Sequence, residues 1–283
     1  MKKKEKKEIT SESTIGHQVN YLKTVRHNYC FKPAPIFVQE LTELADTTFF
    51  GVEIEKESQY VEDFNSDLIP WRIAEKLDRP SIWYSKYDGS LECGIEVVSH
   101  PVSLLGWVLL KDDLSKLFKL FIDEDFESGS TTGLHIHYSR KKHSFIKANL
   151  ISRILKEWWE KNASGVKSVL QRSIMHYCDF TKTLDADTRY KAFNYTDDTF
   201  EIRVWDSPSS SKRFYYCLFC TAAIELLTRN DSKFLESLMK EKTVVKDYQA
   251  VLKFIFITYP EIISKSLDVE ILRPNYIAKR IAW

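Results

Sequence analysis

Three stretches of the chain alternate polar and apolar residues with a period of two, the signature of a half-buried strand. Gly51-Val52-Glu53-Ile54-Glu55 puts two carboxylates on one face and two aliphatic side chains on the other. Gly133-Leu134-His135-Ile136-His137-Tyr138-Ser139-Arg140 does the same with two imidazoles. Phe200-Glu201-Ile202-Arg203-Val204 repeats the pattern with a carboxylate and a guanidinium. Successive side chains of a strand point to opposite faces. Each stretch therefore carries one apolar face and one chemically equipped face.

The remaining pattern places these strands in order. Residues 47–56 read as the first strong strand, and 66–80 as a short helix ending at Pro80. Strands at 81–87 and 94–99 flank the turn Asp88-Gly89-Ser90, and Pro101 stops the second. Leu104, Leu105, Val108, Leu109, Leu114, Leu117, Phe118 and Phe121 recur at helical spacing to about residue 123. The acidic, Ser/Gly/Thr-rich run 123–132 reads as a loop. Helices follow at 144–160 and 163–175, then a hairpin of 189–195 and 199–205 across Asp197-Asp198. Beyond it the pattern is helical, at 211–228, 232–241, 244–257 and 268–281. Strands before residue 206 and helices after it predict an α+β fold. An antiparallel sheet is covered by helices on one face, is polar on the other, and leads into a helical C-terminal region. Residues 1–28 read as a disordered basic tail. Residues 29–283 read as a single catalytic domain, with 231–283 as its helical extension.

Composition narrows the function classes. The 41 basic residues are balanced by 40 acidic ones, which argues against a protein that mainly coats nucleic acid. No apolar run approaches the roughly 18 residues of a membrane span, and the lysine-rich start lacks the apolar stretch of a secretory signal. Five scattered cysteines fit free thiols in a reducing, cytoplasmic setting. Cys217 and Cys220 lie within Phe214-Tyr215-Tyr216-Cys217-Leu218-Phe219-Cys220 and read as a buried helix face. His100, beside Pro101, reads as a packing histidine. His143 and His176 read as surface or helix residues, and His17 and His27 as solvated.

The equipped faces suggest a common chemistry. Glu53, Glu55, Glu96, His135, His137, Glu201 and Arg203, with Asp88 and Glu92 nearby in sequence, combine carboxylates, imidazoles and a guanidinium. An oxygen-rich set favours magnesium or manganese over zinc. Clustered carboxylates repel one another unless a cation neutralises them. An arginine among them grips phosphate or carboxylate in a bidentate manner. This is equipment for phosphoryl transfer, in which positioning and charge neutralisation supply most of the catalysis.

The ordered set of motifs resembles the amidoligase family of the carboxylate–amine ligase superfamily, whose better known relatives are glutamine synthetase and glutamate–cysteine ligase. Tyr29-Cys30-Phe31-Lys32-Pro33-Ala34-Pro35 is similar to the extended lead-in, and Phe50-Gly51-Val52-Glu53-Ile54-Glu55 to the first-strand Gly-x-Glu-x-Glu. Tyr87-Asp88-Gly89-Ser90-Leu91 and Gly94-Ile95-Glu96-Val97-Val98-Ser99-His100-Pro101 resemble the acidic hairpin. The His-x-His strand with Ser139-Arg140, the segment of Arg172 and Tyr177-Cys178, and the strands Tyr190–Asn194 and Thr199–Arg203 complete the set. Where the family often has an aromatic-glycine pair after Ser-Arg, this chain has Lys141-Lys142-His143-Ser144.

The resemblance implies a curved antiparallel sheet whose concave face holds ATP and Mg2+ or Mn2+. It implies an ATP-dependent carbon–nitrogen ligase that forms an amide, peptide or isopeptide, through an acylphosphate. Its partners would be small-molecule, peptide or protein carboxylates and amines, with no nucleic acid and no membrane. Carried over by position, Glu53, Glu55, Asp88, Glu96, His135 and Glu201 are metal ligands. Arg203 stabilises the transferring phosphate, and His137 lies near the phosphates. Arg140, Arg172 and Arg189 hold phosphate or a substrate carboxylate. The alternative is a metal-dependent His-x-His endonuclease acting on single-stranded DNA, with Tyr177, Tyr190 or Tyr215 as nucleophile. That reading leaves the four glutamates and Arg203 without a role. A catalytically dead binding protein on the same fold is a third reading, which an unused carboxylate cluster disfavours.

Overall fold

The computed structural model describes residues 26–38, 48–58, 68–91, 93–140 and 190–228, with isolated positions between 143 and 184. The strands are β1 (Arg26–His27), β2 (Phe49–Ser58), β3 (Trp83–Lys86), β4 (Gly94–Ser99), β5 (Val102–Ser103), β6 (Phe126–Glu127), β7 (Gly133–Ser139), β8 (Phe193–Tyr195) and β9 (Thr199–Asp206). The helices are α1 (Leu68–Lys76), α2 (Leu104–Leu109), α3 (Lys111–Asp123) and α4 (Ser211–Thr228). One open sheet runs in the order β1-β3-β4-β2-β7-β9-β8, with β5 and β6 paired to the two ends of β2. β1 is parallel to β3, and the other strand pairs are antiparallel. This is the α+β arrangement that the order of patterns predicts.

One sheet face is apolar and covered. Phe50, Val52 and Ile54 of β2, Leu134 and Ile136 of β7, and Phe200, Ile202 and Trp205 of β9 are each at most 2% exposed. Helices α2, α3 and α4 lie on this face. Trp107 donates to the Phe50 carbonyl, and its ring meets those of Trp83 and Phe214. Trp205 donates to Thr221 of α4 at 2.9 Å. Burying each such side chain contributes about 1.5–3 kcal/mol. The burial of Tyr215, Tyr216, Cys217 and Cys220 agrees with their reading as helix core. Among the described residues, no helix is long and apolar enough to cross a membrane.

Several local readings change. The helix expected through residue 123 is two helices. The Leu110 N–H is shared between the Gly106 and Trp107 carbonyls, which closes α2 in a tight turn. Ser103 caps the start of α2 through the Gly106 N–H. Asp112 and Asp113 stand in the first turn of α3, where the helix dipole favours negative charge. Asp113 is also buried, because its carboxylate accepts the Asp78 and Arg79 N–H groups at 2.9 Å. The expected loop 123–132 contains β6, which is too short to leave a periodic signal.

Two histidines expected on the surface are buried. His27 stacks on Phe31 with ring centroids 3.6 Å apart, and burial lowers its pKa. His143 turns inward onto Tyr138 and approaches Glu225 of α4 at 3.3 Å, while Thr48 donates to the same carboxylate. His100 packs as expected: it accepts the Ile36 N–H, and burial takes its pKa down to about 4. The helices expected at 144–160 and 163–175 fall mainly outside the described residues, as do residues 1–25, Arg189, Glu92 and the whole region after 228.

A lysine interrupts the apolar face. Lys56 is 2% exposed, and its ammonium donates to Ser128 Oγ and to the Pro208 carbonyl, both at 2.8 Å. Burial lowers its pKa to about 8, against the pull of Asp206 and Glu127. The two loops it joins meet again through Ser128, which donates to the Ser207 carbonyl, and Ser207, which donates to the Glu55 carbonyl.

The pairing of β7 with β9 contains a bulge. Leu134 opposes Trp205, but Ile136 opposes Ile202, so β9 has one extra residue in between. Arg172, which is 4% exposed, spans the irregular stretch, donating to the Arg203 carbonyl at 2.7 Å and the Trp205 carbonyl at 3.3 Å. Its guanidinium fills the space over Gly133, where an added Cβ would meet Nη1. Arg172→Met should lower the unfolding free energy by about 2–3 kcal/mol in denaturant titration, since it removes charged donors from buried carbonyls. A change below about 0.5 kcal/mol would show that the arginine does not brace the bulge.

Candidate active site

Register builds the site. Glu53 opposes His135 on one side, and Glu55 opposes Glu96 on the other. His137 opposes Glu201. Residues directly opposite in a ladder share a face. The carboxylates and imidazoles of β2, β4, β7 and β9 therefore meet on the face opposite the helices. Arg203 follows Glu201 by two residues and lies on the same face, with Nη1 3.1 Å from Glu201 Oε1.

The groups are in direct contact. His135 Nδ1 shares a hydrogen bond with Glu53 Oε2 at 3.1 Å; its Nε2 lies 3.5 Å from Glu55 Oε1, and Nδ1 lies 3.7 Å from Glu201 Oε1. His137 Nε2 lies 3.4 Å from Glu53 Oε1 and 4.0 Å from Glu201 Oε1. The histidines differ in setting, since His135 is 1% exposed and His137 is half-buried.

The carboxylates titrate in opposite directions. Burial pushes the Glu53 pKa up, but His137, His135 and Lys86 outweigh it and hold the group well below its usual range. Burial also works against the Glu201 carboxylate, and Arg203, His137 and His135 overcome it. For Glu55 and Glu96 burial wins and both rise, Glu96 with the added repulsion of Glu53. Burial opposes protonation of His137, yet Glu53 and Glu201 raise its pKa overall.

The remaining predicted residues fall in different places. Arg172 reaches the site edge but spends Nη1 on strand carbonyls. Asp88 accepts the N–H and hydroxyl of Ser90 within its own turn, and its charge raises the Glu55 pKa. Arg140 donates to the Thr196 carbonyl and faces the Tyr195 ring. Tyr215, one nucleophile the endonuclease reading would use, is buried on the helix side and donates to the Trp107 carbonyl.

Three residues outside the predicted set belong to the site. Lys86 Nζ lies 3.0 Å from Glu96 and 3.8 Å from Glu53. Asn194 donates to Glu201 Oε2 at 3.0 Å, and Thr199 Oγ1 lies 3.4 Å from His137 Nδ1. Lys86 sits at the end of a four-residue strand without clean alternation, so its face is fixed only by its pairing with Glu96. Asn194 is fixed likewise, opposite Glu201.

The donor set fits a divalent cation. One ligand atom each from Glu53, His137 and Glu201 can be chosen so that all three lie within 4.8 Å of one another. Two ligands of one ion stand at most about 4.2 Å apart for magnesium and about 5 Å for calcium, so small inward movements suffice. His135 Nε2 and Glu96 Oε2 are buried and have no hydrogen-bond partner among the described residues. Such orphaned acceptors are costly unless a ligand meets them.

No protein-family model matches the sequence, and no curated protein matches it. Among solved structures, the chain is similar to a chain of the "Crystal structure of the complex between Prokaryotic Ubiquitin-like Protein Pup and its Ligase PafA". The identity is 10% and the TM-score 0.33, over 83% of this chain and 64% of that one. A superposition this loose assigns neither a family nor a reaction.

The His137 shift has a consequence for stability. Its folded pKa is raised above the ordinary 6.5. The protonated imidazole therefore stabilises the fold below about pH 6.5, and that contribution is lost as pH rises through the higher folded value. In chelator-treated protein, melting temperature should fall as pH rises above about 6.5, and His137→Gln should flatten that slope. An unchanged slope in the variant would place the titration elsewhere.

Proposed function

We propose that the polar sheet face is the active site of an ATP-dependent carboxylate–amine ligase that uses magnesium or manganese. The observation that carries this reading is the meeting of the Gly-x-Glu-x-Glu, acidic-hairpin, His-x-His and Glu-x-Arg motifs on one face, with orphaned acceptors between them. A bound divalent ion would neutralise the nucleotide phosphates and hold them in line for transfer. Glu53, His137 and Glu201 stand where they can hold that ion. Arg203, kept charged by Glu201, Glu55 and Glu53 despite burial, is placed to follow the charge of the transferring phosphoryl group. His135 fixes the orientation of Glu53 through the Nδ1–Oε2 hydrogen bond.

The substrate carboxylate attacks the γ-phosphorus of ATP and ADP leaves. The amine then attacks the acyl carbon, loses a proton and expels phosphate, leaving an amide. The carboxylate and amine belong to a small molecule, a peptide or a protein side chain. The setting is the cytoplasm, where the five cysteines stay in the thiol form.

Purified protein given ATP, magnesium and a pool of amino acids and peptides should release phosphate in an amine-dependent manner. Glu53→Ala and His135→Ala should abolish release, and Arg203→Ala should reduce it by about 10³-fold, the order found for arginines that stabilise transferring phosphate. Cleavage of single-stranded DNA with a tyrosine adduct, and no ATP consumption, would overturn the proposal.

A further inference from the structure

Glu53 stands between two cation positions, and the chain itself fills one of them. Its Oε1 lies 3.4 Å from His137 Nε2 on one side and 3.8 Å from Lys86 Nζ on the other. On the His137 side, ligand atoms of Glu53, His137 and Glu201 gather within 4.8 Å. On the other side, Lys86 Nζ is 3.0 Å from Glu96 Oε1. Two carboxylates thus share an ammonium beside the candidate ion position, where a two-metal site would need its second ion.

The ammonium is held there by the fold. Lys86 directly opposes Glu96 in the β3–β4 ladder, and Glu55 opposes Glu96 from β2. The lysine is 9% exposed, and the Tyr29 ring centroid lies 5.7 Å from Nζ. A divalent ion shared by Glu53 and Glu96 would need their oxygens at about 2.0–2.6 Å, which places it against Nζ. Two cations so close in a buried setting repel strongly. An ammonium on a strand also remains in place when divalent ions are scarce.

We propose that Lys86 is a positioning residue that acts as the fixed cation of the Glu53–Glu96 half of the site, so that the chain takes one divalent ion, in the Glu53–His137–Glu201 half. This rests on the metal-dependent reading above. It departs from the resemblance on one point, because Glu96 here holds an ammonium rather than a metal.

The test is the number of ions bound, read with Mn2+ alone by equilibrium dialysis and the spin-resonance signal of free Mn2+. The whole chain should bind one Mn2+. Lys86→Met should bind two, and Lys86→Arg should return to one, with circular dichroism confirming that each is folded. Glu96→Gln, which needs no change at Lys86, should keep one ion. Two ions on the unaltered chain, one ion on folded Lys86→Met, or none on Glu96→Gln would overturn the assignment and leave the ligase reading standing. No Mn2+ bound to any of these proteins would overturn both.

Discussion

Carboxylates packed side by side on a sheet repel one another, and the rest of the site is arranged around that repulsion. Glu53, Glu55, Glu96 and Glu201 occupy adjacent strands with side chains on one face. Their charge is met by Arg203, Lys86 and the two imidazoles, all within about hydrogen-bonding reach. The compensation is uneven. Glu53 and Glu201, next to most of the cations, stay ionised, while Glu55 and Glu96 are pushed towards their neutral form. On one side of the cluster the carboxylates keep their charge, and on the other burial favours the neutral form.

The opposite face supplies the rigidity the polar face lacks. Aromatic and aliphatic side chains from β2, β7 and β9 pack under α2, α3 and α4, and this packing fixes the strand register. A slip of one residue would turn every glutamate and histidine of a strand into the core, so burial on one side holds the chemistry on the other. The bulge in β9 is the exception to strict register, and Arg172 bonds the carbonyls on either side of it.

Much of this was legible in the sequence for a physical reason. Period-two alternation is local, so the equipped faces of β2, β7 and β9 could be read without knowing their neighbours. Register is not local. Lys86 and Asn194 enter the site only because they oppose Glu96 and Glu201. His143 is drawn into the interior by Glu225, a residue far along the chain. The break at Leu110 and the bulge after Arg203 are single-residue events that a periodic pattern does not record.

The sheet order also sets when the site can exist. β2 lies between β4 and β7, and β7 lies between β2 and β9, so the cluster draws on early, middle and late parts of the described chain. Residues 53–96 contain the Glu53–Glu96 half, but the Glu53–His137–Glu201 half spans residues 53–201. Pairings this far apart in sequence form slowly, since loop closure precedes the contacts that reward it. The full cluster exists only when β4, β2, β7 and β9 have all paired. Occupancy of the site is in this sense a gauge of the finished sheet.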